Sequence, residues 1–262
     1  MKFVKNIAIA LTLGTAAFAG ANAADAGKHP LQVDWSFSGP LGQFDMASAQ
    51  RGWQVYKQVC SSCHGLKYFR FRNLSEIGYE EAMIKAFAAE YEVAGDVDDF
   101  GDPTTRAAEP KDAFPSPFAN DNAARASNGG ALPPDLSLIT KARHDGANYV
   151  YSLLVGYEDA PADFEVGAGT NYNPYFKGSQ IAMAEPLFEG AVDYEDGTPA
   201  TKEQMAKDVV QFLMYVAEPS LQARHQMGIR VLIFLGLLTL IFYISMKKIW
   251  KPVKEGKNFY ED

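Results

Sequence analysis

The chain has 262 residues, 47% of them hydrophobic and 21% charged, a composition that excludes disorder throughout its length. Its formal net charge of −8 argues against nucleic acid as a partner and favours a basic protein. The chain has only two cysteines, three positions apart, so no disulfide framework can be built from them.

The N-terminal segment has the three parts of a secretory signal peptide. Lys2 and Lys5 form a positive region, an apolar run follows to about Phe18, and a small-x-small cleavage site ends at Ala23. An uncleaved N-terminal anchor is the alternative, but the apolar run is short for a membrane span. We therefore predict a signal peptide over residues 1–23 and a mature chain outside the cytoplasmic membrane of a bacterium.

Two helices are predicted in the first half of the mature chain. Asp45 is a suitable N-cap for the first, because apolar residues then recur at steps of three or four and share one face. These residues are Met46, Ala49, Trp53, Tyr56 and Cys60. The second helix is predicted over residues 79–91. Segment 92–126 is rich in Asp, Pro, Ala and Asn, and is predicted to be a long surface excursion with weak structure of its own.

Two further helices are predicted in the second half. A short helix over residues 146–155 precedes a loop over residues 156–190 that contains Gly and Pro throughout. Thr198 is expected to cap the next helix, with Pro199 at its first position. The buried stripe of that helix is predicted to consist of Met205, Val209, Phe212 and Val216.

A second apolar run, near the C-terminus, predicts a membrane-spanning helix. Residues 231–246 carry no charge, and the run reaches about 20 residues, enough for one span, if Arg230 extends its charged end to the membrane surface. A buried core helix is a weaker alternative, because the run is apolar on all faces. Lysines follow the run, as is typical of the cytoplasmic side. We predict a periplasmic domain over 24–224, a single transmembrane anchor over 225–248 and a cytoplasmic tail over 249–262.

The motif Cys60-Ser61-Ser62-Cys63-His64 indicates the chemistry of the periplasmic domain. Two thiols at this spacing on a helical turn can add to the vinyl groups of a haem, and the following histidine can supply Nε2 to the iron. An export signal strengthens this interpretation, because such attachment occurs outside the cytoplasm. We therefore predict one covalently bound haem c, with Cys60 and Cys63 as attachment residues and His64 as an axial ligand.

Three other interpretations of the motif are weaker. A thioredoxin-like redox pair would sit in a βαβ context, which the predicted elements lack. A structural zinc site would need two further ligands, but no other cysteine exists and the remaining histidines, His29, His144 and His225, are scattered. A chance match is the third, and the export signal argues against it.

The sixth iron ligand separates an electron carrier, which closes the site, from a haem enzyme or gas binder, which leaves it open. Met183 is the methionine that lies in a predicted loop, just before the last soluble helix, and Pro186 stiffens that loop. The other methionines lie in predicted helices or at the ends of the membrane span. Position therefore favours Met183. Arg143 is a candidate donor to the haem propionates, although a lone arginine is more often a solvated surface residue.

Several segments in order resemble the cytochrome c1 family, the haem c subunits of cytochrome bc1 complexes. They are WQVY leading into CSSCHGL, NGGALPPDLS from Asn128, KARHDGANYVYSLLVGY from Lys141, NPYF from Asn173, IAMAEPL from Ile181, DGTPAT from Asp196, KDVVQFLMYVAEP from Lys207, and the C-terminal anchor. Together they cover nearly the whole mature chain and are far more specific than the haem motif alone.

The resemblance implies a mostly α fold, with a class I cytochrome c-like haem domain, long loop insertions and one C-terminal transmembrane helix. It also implies that Met183 is the second axial ligand and that Arg143 binds a propionate. By the same resemblance, Asn128, Pro134 and Tyr149 line the haem pocket.

The chain departs from the family pattern in two places. Ala184 and Glu185 follow Met183 where the family commonly has proline, so a carboxylate there could lower the haem potential slightly or mark a surface contact. The second departure is the acidic excursion near residues 92–126. Some bacterial members also carry a cysteine pair elsewhere that steadies the loop before the methionine. This chain has none, so its loop is expected to be steadied by packing alone.

The resemblance implies an electron-transfer subunit of quinol:cytochrome c oxidoreductase in the bacterial inner membrane. Its partners would be cytochrome b, the Rieske iron–sulfur protein as donor and a soluble or membrane-bound cytochrome c as acceptor, in a dimer of complexes. Acidic residues in segment 92–102 could steer a basic cytochrome c, or merely solvate a flexible loop. Two alternative functions are a free membrane-tethered c-type carrier and a haem enzyme with an open sixth position.

Overall fold

The computed structural model describes residues 27–256, so the predicted signal peptide and the last six residues of the predicted tail lie outside the described residues. The described chain is mostly helical, with two small antiparallel hairpins. The elements are α1 Met46–Gln58, α2 Glu81–Ala89, β1 Glu92–Val97, β2 Pro103–Ala107, α3 Asp121–Ser127, α4 Gly146–Val155, β3 Asn171–Tyr172, β4 Gln180–Ile181, α5 Lys202–Ala217 and α6 Leu221–Lys254. Short 3₁₀ turns cover Cys60–Ser62, Phe71–Ile77 and Lys177–Ser179.

Helices α1 and α5 pack against each other at very close range, and Gly52 makes the approach possible. A Cβ atom at Gly52 would lie 2.0 Å from the backbone oxygen of Asp208 and 2.7 Å from the Cβ of Phe212, far inside van der Waals contact. Any larger residue at this position would push the two helices apart. The predicted N-cap is confirmed, because the Asp45 carboxylate accepts a hydrogen bond from Ser48 N at 3.1 Å.

A buried carboxylate on α5 adds a polar contact to this crossing. The side chain of Asp208 is fully buried and accepts hydrogen bonds from Ser48 Oγ at 2.6 Å and from Arg51 Nε at 2.9 Å, both on α1. Gln204 Nε2 donates to the same carboxylate from one turn away on α5, at 2.9 Å. The carboxylate is thus paired and hydrogen-bonded, as a buried charge requires.

Aromatic side chains from several segments fill the core around the crossing. The Trp53 ring on α1 lies 5.1 Å from Phe114 and 5.9 Å from Phe212 on α5, measured between ring centroids. The predicted stripe of α5 is confirmed, since Met205, Val209, Phe212 and Val216 are all buried.

The expectation of weak structure in segment 92–126 is wrong in three respects. Helix α3 begins within the segment, at Asp121. Strands β1 and β2 form an antiparallel hairpin, and its turn is ordered by Asp98, whose Oδ1 accepts hydrogen bonds from Phe100 N at 2.8 Å and Asp102 N at 2.9 Å. Phe114 is buried in the aromatic core rather than on the surface. Composition alone missed the hairpin, because composition does not show which residues pair across two strands.

The start of α5 also differs from the prediction. The N-cap is Thr201, whose Oγ1 accepts from Gln204 N at 3.2 Å, and not Thr198. Thr198 N instead donates to Asp196 Oδ1 at 2.9 Å, in a turn that ends before the helix begins. Helix α4 matches its predicted range, and α2 is two residues shorter at each end than predicted.

Helix α6 contains the predicted membrane span. Within residues 27–256 it is the one helix long and apolar enough to cross a membrane, with a mean hydropathy of 2.3 over its most apolar stretch, none of which is buried. Only three residues separate it from the end of α5. The apolar helix therefore follows the packed helices with almost no linker.

We expect the substitution Gly52→Ala to destabilise the chain by about 1–3 kcal/mol, because the new methyl group would overlap Asp208 across the helix crossing. Thermal unfolding of the full haem-loaded chain in detergent measures the effect. Gly228→Ala is the matched control, since a Cβ at Gly228, also helical, meets no atom within 4 Å. Equal melting temperatures for the two variants would contradict the close-crossing argument.

Candidate functional site

The haem motif lies in a tight turn directly after α1. The helix ends at Gln58, and the chain tightens into a 3₁₀ turn in which Cys63 N and His64 N both donate to the carbonyl of Cys60, at 3.1 and 2.9 Å. The buried Tyr56 on α1 donates its hydroxyl to the carbonyl of His64 at 2.8 Å. The turn is therefore attached to α1 at its start by the chain itself and at its end by the Tyr56 hydrogen bond.

The imidazole of His64 is oriented by a backbone carbonyl. His64 Nδ1 lies 2.7 Å from the carbonyl oxygen of Pro134, which can only accept, so Nδ1 carries the proton. Burial lowers the pKa of His64, and the Pro134 carbonyl and the Asp135 carboxylate act against this shift. The ring is thus neutral with its Nε2 lone pair free, the form and orientation that a metal-binding histidine needs.

The thiol of Cys60 lacks the lowered pKa that a redox pair needs. Both cysteines are free, and burial, with the neighbouring Cys63 as a smaller cause, raises the pKa of Cys60 to about 12. A redox-active Cys-x-x-Cys site needs a thiol with a lowered pKa, so this argues against the thioredoxin-like alternative. Within residues 27–256 no cluster of three metal-binding side chains occurs, and the zinc alternative gains no support.

Asp135 attaches the segment that carries Pro134 to the haem peptide. Its carboxylate accepts from Lys67 N at 2.9 Å and from Ser137 N at 3.0 Å. Leu136 N donates to the carbonyl of Gly65 at 2.9 Å, close by. These contacts hold the Pro134 carbonyl opposite the His64 ring. Sequence reasoning placed Pro134 near the haem but missed Asp135, although both belong to the same PPDLS segment.

Met183 lies in a loop, as predicted, but packing alone does not steady that loop. The Met183 carbonyl accepts from Tyr157 Oη at 3.0 Å and from Asn171 Nδ2 at 3.2 Å. The expectation was wrong because distant polar side chains, invisible in local sequence, supply these bonds. Glu185, which departs from the family pattern, forms a salt bridge with Lys202 at the start of α5, so its charge is compensated.

The remaining candidates fall into two groups. Arg143 is exposed and lies beside the half-buried Tyr149. Burial raises the pKa of Tyr149, and the positive charge of Arg143 acts against this rise. Asn128 is half-buried and donates Nδ2 to the carbonyl of Ala124 at 2.7 Å, at the end of α3. The contacts therefore join His64 to Pro134 and Arg143 to Tyr149, while Met183 and Asn128 are held by other neighbours.

This donor set suits a covalently bound haem. It provides two thiols at the attachment spacing, a neutral imidazole with Nε2 free, and a thioether on a separate, hydrogen-bonded loop. A mostly helical domain with this motif at the end of its first helix is typical of a c-type cytochrome, and its C-terminal apolar helix is consistent with a membrane anchor.

Comparison with known proteins agrees with this class. The model of the Cytochrome C1 family matches residues 35–253. The chain is 46% identical to cytochrome c1 of Rhodospirillum rubrum, over 96% of this chain and 98% of the relative. It is 47% identical to the mitochondrial cytochrome c1 heme protein of Schizosaccharomyces pombe, over 90% of this chain and 76% of the relative. It is 44% identical to cytochrome b/c1 of Bradyrhizobium diazoefficiens over 95% of its own length but spans only 40% of that protein.

The chain therefore belongs to the cytochrome c1 family. Family membership implies a covalently bound haem c, and it supports a role in electron transport as a haem subunit of the cytochrome bc1 complex. The apolar helix α6 is consistent with a membrane-anchored chain.

Proposed function

We propose that the chain is the haem subunit that passes electrons from the Rieske iron–sulfur protein to a cytochrome c in a quinol:cytochrome c oxidoreductase. The observation that carries the proposal is the His64 ring, held by the Pro134 carbonyl with Nε2 free, directly after two thiols at attachment spacing in a cytochrome c1 chain. The chain itself makes and breaks no substrate bond; its residues hold the redox group and set its potential.

Haem c, when bound, supplies a one-electron iron couple. Cys60 and Cys63 would hold the macrocycle by thioether bonds, and His64 Nε2 and the sulfur of Met183 would occupy the two axial positions. A thioether is a soft, neutral ligand that favours Fe(II), so Met183 would raise the reduction potential and close the site to external ligands. The closed site distinguishes this role from that of a haem enzyme.

Arg143 and Tyr149 are proposed to bind the haem propionates. The guanidinium is exposed and lies beside the Tyr149 phenol, so the pair offers a charged and a neutral donor near the start of α4. Asn128 and Pro134 are proposed to line the same pocket, as the family resemblance implies.

The junction between α5 and α6 favours a fixed subunit over a free tethered carrier. Glu218, between the helices, pairs with Lys141 at 2.7 Å and with Arg224 at the start of α6. Leu221 is only 4% exposed, and His225 Nδ1 lies 3.1 Å from the carbonyl of Gly42. A mobile carrier needs a flexible linker, and this junction is held by an ion-pair network, a buried side chain and a hydrogen bond.

By the family resemblance, cytochrome b and the Rieske protein would be neighbours in the complex, and the complex would be a dimer in the bacterial inner membrane. The predicted signal peptide and the lysine-rich end of α6 support a haem domain in the periplasm and a tail in the cytoplasm.

The substitution Met183→Leu tests the proposed ligand. We expect it to abolish the sulfur-to-iron charge-transfer band of the ferric haem, to lower the reduction potential and to allow carbon monoxide to bind, because the sixth position loses its thioether. Met83→Leu, at an exposed position of α2, is the matched control. A Met183→Leu variant with an unchanged spectrum would support the open-site alternative instead.

Purification of the tagged chain from its native membrane in mild detergent tests the assignment to a complex. We expect b-type haem and an iron–sulfur signal to co-purify, with the haem c reduced by ascorbate and the b haems reduced only by dithionite. An ascorbate-reducible haem c that purifies alone under gentle conditions would favour the free carrier.

The acidic hairpin offers a test of the acceptor. We expect amide replacement of its five carboxylates to lower the rate of cytochrome c reduction at low salt by about tenfold and to flatten its salt dependence, because long-range steering would be lost. The positions are Glu92, Asp96, Asp98, Asp99 and Asp102. Amides preserve the side-chain oxygen of Asp98 that orders the turn.

The matched control replaces five exposed carboxylates elsewhere with amides, namely Asp34, Glu80, Asp121, Asp193 and Glu195. An unchanged salt slope in the hairpin variant would remove the steering hypothesis and leave the hairpin charges as solvating groups.

A further inference from the structure

Two side-chain donors converge on the backbone carbonyl of Met183. Tyr157 Oη lies 3.0 Å from this oxygen and Asn171 Nδ2 lies 3.2 Å from it. A carbonyl oxygen has two acceptor sites, and here both are used by side chains far away along the chain. The peptide plane that follows the Met183 Cα is therefore fixed by two hydrogen bonds.

Both donors are attached to α4. Tyr157 follows the end of α4 at Val155 by two residues. Asn171 begins β3, and the fully buried Asn173 just beyond it donates Nδ2 to the carbonyl of Leu153 on α4, at 2.8 Å. The hydrogen bonds thus connect the Met183 backbone to the helix that carries Tyr149.

The chain is also held immediately after Met183. Glu185 is paired with Lys202 on α5, and Leu187 is fully buried in the core. On one side, however, the loop faces an open cleft of about 510 Å³, lined in part by Tyr157, Asn171 and Glu185. Space for movement therefore exists next to the two donors, and their hydrogen bonds oppose that movement.

We propose that Tyr157 and Asn171 are positioning residues for the Met183 thioether: they clamp the Met183 carbonyl and so present the sulfur in the geometry needed for the sixth position. The inference rests on the proposed function, because it takes Met183 as an axial ligand. Neither residue touches the haem in this proposal. If these two hydrogen bonds are lost, the Met183 sulfur occupies the sixth position for a smaller fraction of the time.

The test uses Tyr157→Phe, Asn171→Leu and the double variant in the full chain, purified from its native membrane in mild detergent. Phe and Leu keep the size of the side chains but remove the donors. The charge-transfer band of the ferric haem and carbon monoxide binding to the ferrous haem are measured per mole of haem. Both report whether sulfur occupies the sixth position.

We expect each single variant to weaken the charge-transfer band and to raise the apparent affinity for carbon monoxide. The increase should be about fivefold, because each variant loses one neutral hydrogen bond. The double variant should exceed both singles. Tyr172→Phe is the matched control, because Tyr172 lines the same cleft and packs on Phe164 with ring centroids 4.9 Å apart, without a hydrogen bond to Met183.

Met183→Leu, measured in parallel, separates the two possible failures. If that variant retains the band, the ligand assignment in the proposed function is wrong. If it loses the band while the Tyr157 and Asn171 variants behave like Tyr172→Phe, the clamp is refuted and the proposed function stands. Should the double variant fail to incorporate haem, the single variants decide the question, since each retains one donor.

Discussion

The close crossing of α1 and α5 at Gly52 is the contact on which the rest of the structure depends. It brings the buried Asp208 carboxylate against Ser48 and Arg51, and it sets Trp53 against Phe212 in the aromatic core. The haem peptide follows directly from the end of α1, so its position is inherited from this crossing. Helix α6 follows the end of α5 after three residues, so its position is also set by this crossing.

The site is built from backbone carbonyls as much as from side chains. Pro134 contributes its carbonyl to the His64 ring, and the carbonyls of His64 and Met183 are themselves held by tyrosine hydroxyls. Asp135 completes the pattern by binding two backbone amides. The candidate axial residues can therefore be positioned by groups that never contact the iron, which suits a redox centre whose ligands should not move during electron transfer.

Local patterns predicted the features that depend on a few adjacent residues. These include the Asp45 cap and the range of α4, each of which has its cause within one or two helical turns. The hairpin at 92–107 was missed because its strands pair residues that are distant along the chain, such as Glu92 with Ala107, even though Asp98 orders the turn locally. Tyr157 and Asn171 were missed because their bonds to Met183 span 26 and 12 residues, and no periodicity reports such a contact.

The short junction at residues 218–220 has a consequence for how encounters occur. In the proposed complex, a domain held to its membrane helix through Glu218, Leu221 and His225 would not turn on a flexible tether to search for other proteins. Its height above the bilayer and the direction it faces would then be constant. The mobility of its partners, rather than that of this chain, would limit how often productive collisions take place.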